Sequence, residues 1–450
     1  MHHHQNFVSR SRAFVTHPTV SGLIGTALGI CLGWFVTQSR LSNVNKANIW
    51  TPGEVLSSLI QSVTLPHILT LLILGLNRPR LDNYRKEISI RAAVYCISTT
   101  VAAVTLGVIL VVMLNPGGSS NIDEEVSIPF LCVFMDLIRN MVPGGLVLAS
   151  FKQYKTRPEE DQSSSTGHQE SKKITLVGGN VEGVNFLGLI IWVTVIGVCL
   201  RRMGEGSREM LILVTTINRI TDRALQLLIG VFPLGLVFLT ANYVVEAGLH
   251  LETLIQLAKF AAVVIGGLII HGAVILPLIH FAFVRQNPFV FMKEISPALL
   301  RAMHPSGGSV NPLTCCEEVN KIDRRVTRSM IQIWGSLNQN GTALYEVIAT
   351  VFIAQLSHTN LNWSQLFALG VTVTALSSGH AGHPGIVSII IMLLLDVFGI
   401  PSRYISPLLI IHWALDLLSA PVNILGYCLG TVIVKHLSRK ELVKQEPGMP

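Results

Sequence analysis

The chain has 450 residues; 13% are Asp, Glu, Lys or Arg, and 50% are hydrophobic. Its mean hydropathy is +0.54. A soluble domain carries about 25% charged residues, so disorder is excluded and a soluble enzyme is disfavoured.

In chain order, the runs without Asp, Glu, Lys or Arg are Ala13–Ser39, Val55–Asn77, Ala92–Ile122, Gly183–Leu200, Ala224–Val245 and Phe260–Val284. Each is long enough for a membrane-crossing helix, which takes roughly 20 residues. The first run is too long for the apolar core of a cleaved leader, so it reads as a span. Apolar residues are continuous and not alternating, so the class is helical. Lys152 to about Asn180 is polar and reads as a flexible exposed loop. Basic residues cluster at Arg10 and Arg12, Arg78–Lys86, Arg201–Arg202, Lys321–Arg328 and Lys435–Lys444, whereas Asp123–Glu125 carry no basic neighbours. The positive-inside rule then puts both termini in the cytoplasm. The net charge of +7 is mostly this bias, and with no basic soluble face no nucleic-acid partner is expected. The seven cysteines show no metal spacing and read as packing residues.

The second half behaves differently. Val347–Leu395 is uncharged throughout, too long for one crossing, and holds Gly379, Gly382, Pro384 and Gly385; Leu417–Val434 is the last apolar run. Apolar stretches there are interrupted at Pro305–Ser309, Asn338–Thr342, Ser377–Gly385 and around Pro421 and Asn423. The order is hairpin, broken helix, hairpin, broken helix. Paired discontinuous segments point to a secondary transporter with inverted repeats. Asp416, Asn423, Glu346, Asn338 and Asn340 lie in apolar surroundings, where polar groups mark a pathway. Read alone, Asp416 and Glu346 also suit structural pairing, and Asn338 or Asn340 suits capping.

Asn338–Glu346 reads NQNGTALYE and resembles the N-M-D-G-T-A-L-Y-E of the excitatory amino acid transporter family of amino acid:cation symporters. Val422–Glu441 is similar to V-N-V-L-G-D-x-L-G-x-x-I-V-x-H-L-S-R, and Phe134–Pro143, Phe151–Thr156, Arg91–Gly117, Met203–Glu205 and His271–Phe289 also fit. The resemblance implies an all-α membrane protein of eight transmembrane helices and two re-entrant hairpins, usually a homotrimer in the bilayer, with an elevator mechanism. It implies a cytoplasmic N-terminus at 1–17, early scaffold helices at 18–151, an exposed loop at 152–180, the remaining fourth and fifth helices at 181–250, a transport core at 251–436 and a cytoplasmic tail at 437–450. The expected setting is the plasma membrane.

Carried over by position, the resemblance implies that Asp416 takes the substrate ammonium and that Asn423 and Thr342 complete the head-group site. Ser306 and Gly307 of the first hairpin tip and His383 of the second close it. Acidic-substrate members carry an Arg where this chain has Ser419. Ser cannot supply that bidentate fork to a carboxylate, so a neutral amino acid is expected over glutamate or aspartate. The implied sodium positions are Asn338, Asn340, Asn423, Tyr427, Thr99, Thr100, Ser336, Ser377, Ser378 and His380. Asn340 and Tyr427 stand where relatives have Asp, Gln339 replaces a Met and Trp334 a Gly, so sodium coupling is expected to be weakened. Glu346 matches the family's proton-carrying Glu, and His412 replaces an acidic residue; His380, His383 and His412 read either as pH-sensitive groups or as hydrogen-bonded spacers. No organic cofactor is expected. The alternatives are a transport-deficient paralogue acting as an anion-conducting channel or regulatory subunit, and an ordinary glutamate/aspartate transporter. No nucleophile–base set, P-loop or metal motif supports an enzyme.

Overall fold

The computed structural model describes residues 18–39, 51–77, 83–118, 130–160, 174–246, 251–302, 339–359, 361–376, 386–398 and 405–439, together with 316–317, 322–323, 326–327, 330 and 400. The uncharged runs become helices, the form in which a chain satisfies its own backbone in lipid. In order they are α1 (Pro18–Gln38), α2 (Thr51–Leu76), α3 (Asn83–Leu114), α4 (Phe130–Met141), α5 (Phe186–Met203), α6 (Arg208–Glu246), α7 (Leu251–Ile270), α8 (Leu276–Val284), α9 (Pro288–Ala302), α10 (Asn340–Leu356), α11 (Trp363–Leu376), α12 (Ile386–Phe398) and α13 (Ser406–Leu437). Among the described residues six helical stretches are long and apolar enough to cross a bilayer, and the fourth, Phe186–Val245, contains both α5 and α6. The protein is a multi-pass helical membrane protein.

Burial separates the helices into two kinds. The spans of α1, α2 and α3 are buried over 33%, 28% and 33% of their most apolar windows, against 67% for α13. Every residue of α10 from Asn340 to Ala354 is buried. A helix that is apolar all round belongs inside a protein, whereas a half-exposed one offers its other face to lipid. The core therefore forms around α10 and α13, with α3, α7, α11 and α12 packed against them.

The outer helices pack by close backbone approach. On α1, Gly25, Gly29 and Gly33 lie on one stripe facing α6. A Cβ at Gly25 would come within 2.4 Å of the Pro233 carbonyl, and one at Gly29 within 2.7 Å of Thr240 Cβ. Small residues permit such contacts in membranes, where van der Waals packing replaces the hydrophobic effect. Asn218 of α6 reinforces α2 by donating to the Thr70 hydroxyl at 3.0 Å.

Three sequence expectations change. The interruption at Pro421 is absent, since α13 runs unbroken from Ser406 to Leu437. Proline costs one ladder bond, which a membrane helix tolerates when its neighbours re-satisfy the freed carbonyl. The polar stretch after residue 152 is not all loop. Lys152–Glu160 (β1) and Ile174–Glu182 (β2) pair antiparallel, with Lys152 opposite Glu182 and Glu160 opposite Ile174. The ribbon is docked on α4: Asn140 donates to the Tyr154 carbonyl at 2.9 Å and accepts from the Tyr154 N–H at 2.8 Å, and Asp136 accepts from the Thr156 N–H at 2.7 Å. Third, α6 begins at Arg208, well before the uncharged run at Ala224, because Arg219 and Arg223 sit on its exposed side.

The uncharged block 347–395 resolves into the end of α10, then α11 and α12. Over their described residues α11 and α12 span 14 and 13 residues, short of the roughly 20 that a crossing takes. The intervening residues 377–385 lie outside the described residues.

Candidate functional site

The polar residues singled out on the last helix share one face. His412, Asp416, Ser419, Asn423 and Tyr427 follow at steps of four, three, four and four, which is the stripe of an α-helix. That stripe faces the start of α10. Close approach there depends on Gly341, where a Cβ would lie 2.6 Å from the Ser419 carbonyl and 3.3 Å from Asn423 Oδ1.

Asn423 organises the junction. Gln339 precedes α10 with non-helical backbone (φ −121°, ψ 47°), and its side chain makes no cap. The first N–H groups of a helix have no internal partner. Asn423 Oδ1 accepts from the Gly341 N–H at 2.7 Å and the Thr342 N–H at 3.4 Å, so the cap comes from another helix. Its Nδ2 donates to Gln339 Oε1 and Thr342 Oγ1, both at 2.9 Å. Thr342 Oγ1 also lies 3.4 Å from Ser419 Oγ, and the Ser419 hydroxyl donates to the Asp416 carbonyl at 2.7 Å.

Asp416 differs from its neighbours. It is half-buried, and among the described residues its carboxylate has no hydrogen-bond or ion-pair partner. It lies within electrostatic reach of Tyr345 and Glu346 on α10. Glu346 is fully buried. Beside it the Tyr345 hydroxyl meets His412 Nδ1 at 2.8 Å, a contact that neither residue's own surroundings in the sequence announce.

A second polar junction joins α10 to α3. Thr99 and Thr100 are buried and face Asn340, with hydroxyl–amide distances of 3.4 and 2.8 Å. Tyr427, lower on the α13 stripe, is fully buried. Nearby, the Tyr95 hydroxyl donates to the Gly426 carbonyl at 2.9 Å and ties α3 to α13.

Of the expected site residues, the structure brings Thr342, Ser419 and Asn423 into contact and sets Asp416 one turn before Ser419. It pairs Asn340 with Thr99 and Thr100. Ser306, Gly307, Ser336, Asn338, Ser377, Ser378, His380 and His383 lie outside the described residues, as does Trp334. Gln339, expected only as the replacement of a Met in the ion-site motif, joins the site by accepting from Asn423. The stripe spacing on α13 is the signal that ties His412 and Tyr427 to the same face.

Residues 19–437 match the sodium:dicarboxylate symporter family. The chain belongs to this family. Curated relatives agree: excitatory amino acid transporter 3 of Oryctolagus cuniculus is 36% identical, with 95% of this chain and 86% of that protein covered. The Homo sapiens excitatory amino acid transporter 3 is 35% identical over 95% and 86%. Excitatory amino acid transporter 1 of Ambystoma tigrinum is 33% identical over 95% and 84%. Membership in the sodium:dicarboxylate symporter family makes this a sodium-coupled transporter.

Proposed function

We propose that the chain is a secondary amino-acid:cation symporter that takes a neutral amino acid in preference to glutamate or aspartate. The observation that carries the reading is the contrast between Asp416 and Ser419. Asp416 is a carboxylate without a partner among the described residues, on the same face of α13 as Asn423, whose amide bonds the Thr342 hydroxyl. A substrate ammonium would supply a charge-assisted partner there. One turn on, at the position of the acidic-substrate Arg, the buried Ser419 hydroxyl is turned onto its own helix. Nothing cationic among the α13 stripe residues meets a side-chain carboxylate, and burying that charge unpaired is expensive.

In this reading Glu346 is the proton-coupling carboxylate, and Ser306, Gly307 and His383 close the substrate site from the two hairpin tips. Sodium coupling is weakened because Asn340 and Tyr427 supply neutral groups at ion positions where an anionic oxygen would hold a hard cation best. The remaining sodium positions are Asn338, Asn423, Thr99, Thr100, Ser336, Ser377, Ser378 and His380. The working unit is a homotrimer in the plasma membrane with both termini cytoplasmic, and the core around α10 and α13 moves as an elevator against the outer helices.

The test is uptake of labelled serine, alanine, aspartate and glutamate into proteoliposomes, with and without an inward sodium gradient. Serine or alanine uptake that disappears in Asp416→Ala supports the proposal. Strong glutamate uptake refutes the reading of Ser419. Substrate-independent current with no uptake of any of the four refutes the symporter reading itself.

A further inference from the structure

The contact between Asn340 and the two threonines carries more than a missing charge. Thr99 and Thr100 each own one hydroxyl hydrogen. The Thr99 hydroxyl lies 2.9 Å from the Tyr95 carbonyl and 3.0 Å from that of Cys96, and the Thr100 hydroxyl lies 2.9 Å from the Cys96 carbonyl. If those hydrogens go to the helix carbonyls, the oxygen lone pairs face Asn340. An amide meeting lone pairs must present its NH2.

The two orientations of the Asn340 amide can be compared by counting. With Oδ1 toward the threonines, Nδ2 is buried with no hydrogen-bond partner, leaving two N–H groups orphaned in a fully buried residue. Turned by 180°, the NH2 reaches the lone pairs at the same 2.8 and 3.4 Å, and a single carbonyl oxygen is left over. Asn oxygen and nitrogen are interchangeable in placement and are assigned from such networks. Orphaned buried N–H groups are rarer than under-satisfied carbonyls, so the second orientation is favoured.

We infer that the Asn340 amide itself occupies the role of a cation at the α3–α10 junction, its N–H groups bonding the Thr99 and Thr100 oxygens so that α10 is anchored to α3 with no ion present. This deepens the reading of weakened sodium coupling and rests on Asn340 lying at a cation position. A carboxylate here would repel the hydroxyl lone pairs and require a cation between them. The amide carries both partners of that arrangement in one neutral group. Because Gly341 and Thr342 follow Asn340 directly, the substrate-facing start of α10 is held in place independently of sodium at this junction. Other sodium positions are untouched by the inference, so the chain loses one coupled ion and not its sodium dependence as a whole.

The test uses the purified full chain in detergent without substrate, so its outcome does not depend on which amino acid is carried or whether uptake is found. Thermal unfolding is followed in sodium chloride and in choline chloride at equal ionic strength. Thr100→Val in the natural background is expected to lower the Tm equally in both salts, because its hydroxyl bonds an amide. Asn340→Asp is expected to lower the Tm in choline and recover in sodium, and Thr100→Val added to it should remove the recovery. A sodium-dependent Tm increase in the natural chain that Thr100→Val abolishes would overturn the inference, because the hydroxyl would then already ligate the ion. Should Asn340→Asp fail to fold, the Thr100→Val comparison alone decides. An Asn340→Asp protein that folds but shows no sodium response also overturns it.

Discussion

Replacing Asn423 by Ala removes one side chain that serves two helices. The loss comprises three bonds of 2.7–2.9 Å and one of 3.4 Å. Side-chain hydrogen bonds between membrane helices average about 0.6 kcal/mol, so the three short ones amount to about 1.8 kcal/mol. Counted as an N-cap, the loss is about 1 kcal/mol, and leaving a buried polar partner without a bond adds about 1–3 kcal/mol. The second route gives about 2–4 kcal/mol, so the two overlap near its lower end, and about 2 kcal/mol is about a 25-fold change in an equilibrium constant at 1.4 kcal/mol per tenfold. Asn423→Asp separates the two roles. It keeps an acceptor for the α10 N–H groups, with charge favourable at a helix N-terminus, but loses both donations to Gln339 and Thr342. Unfolding in mixed micelles should therefore rank natural chain, Asn423→Asp, Asn423→Ala in falling stability. An Asn423→Ala protein as stable as the natural chain would refute the cross-helix cap.

Three further outcomes follow from the same geometry. Asp416→Asn should abolish substrate uptake while leaving the Tm in substrate-free detergent unchanged or higher, because no described group depends on its carboxylate; a large Tm loss would show a structural role. Tyr345→Phe should cost about 1 kcal/mol, the usual net worth of one hydrogen bond, seen as a fall in Tm that His412→Phe in the same background does not deepen much, since the two share one contact. Ser419→Arg should shift competition for uptake toward aspartate, while overpacking the side-chain contact with Thr342 lowers stability by about 1–3 kcal/mol; unchanged selectivity in a folded protein would mean that Ser419 does not face the substrate side chain.

Much of the architecture was legible because one requirement dominates in lipid: backbone groups pair internally, so uncharged runs become helices. The runs in α2, α3 and α7 reappear as spans for that reason. What run-counting missed were elements stabilised by particular contacts. The α4 helix is short and carries Asp136 and Arg139, both engaged with the ribbon; its amphipathic face has no counterpart in a search for apolar runs. The β1–β2 ribbon depends on Asn140 imitating a neighbouring strand, which composition does not reveal. Pro421 looked like a break because proline usually stops a helix, yet buried α13 continues through it. At the site, the residue types and their family positions pointed to Asp416, Thr342 and Asn423. The Asn340 pairing with Thr100 and the Tyr345–His412 contact required the helices to be laid side by side, because each joins residues 67 to 240 positions apart.

The most direct measurement of the central claim is competition at a single transport site. Labelled serine uptake by the reconstituted chain is followed against rising unlabelled alanine and rising unlabelled aspartate. Neutral-substrate selection predicts that alanine suppresses the signal at concentrations where aspartate leaves it intact, and that Ser419→Arg narrows the difference. Suppression by aspartate at lower concentrations than alanine, in the natural chain, would contradict it.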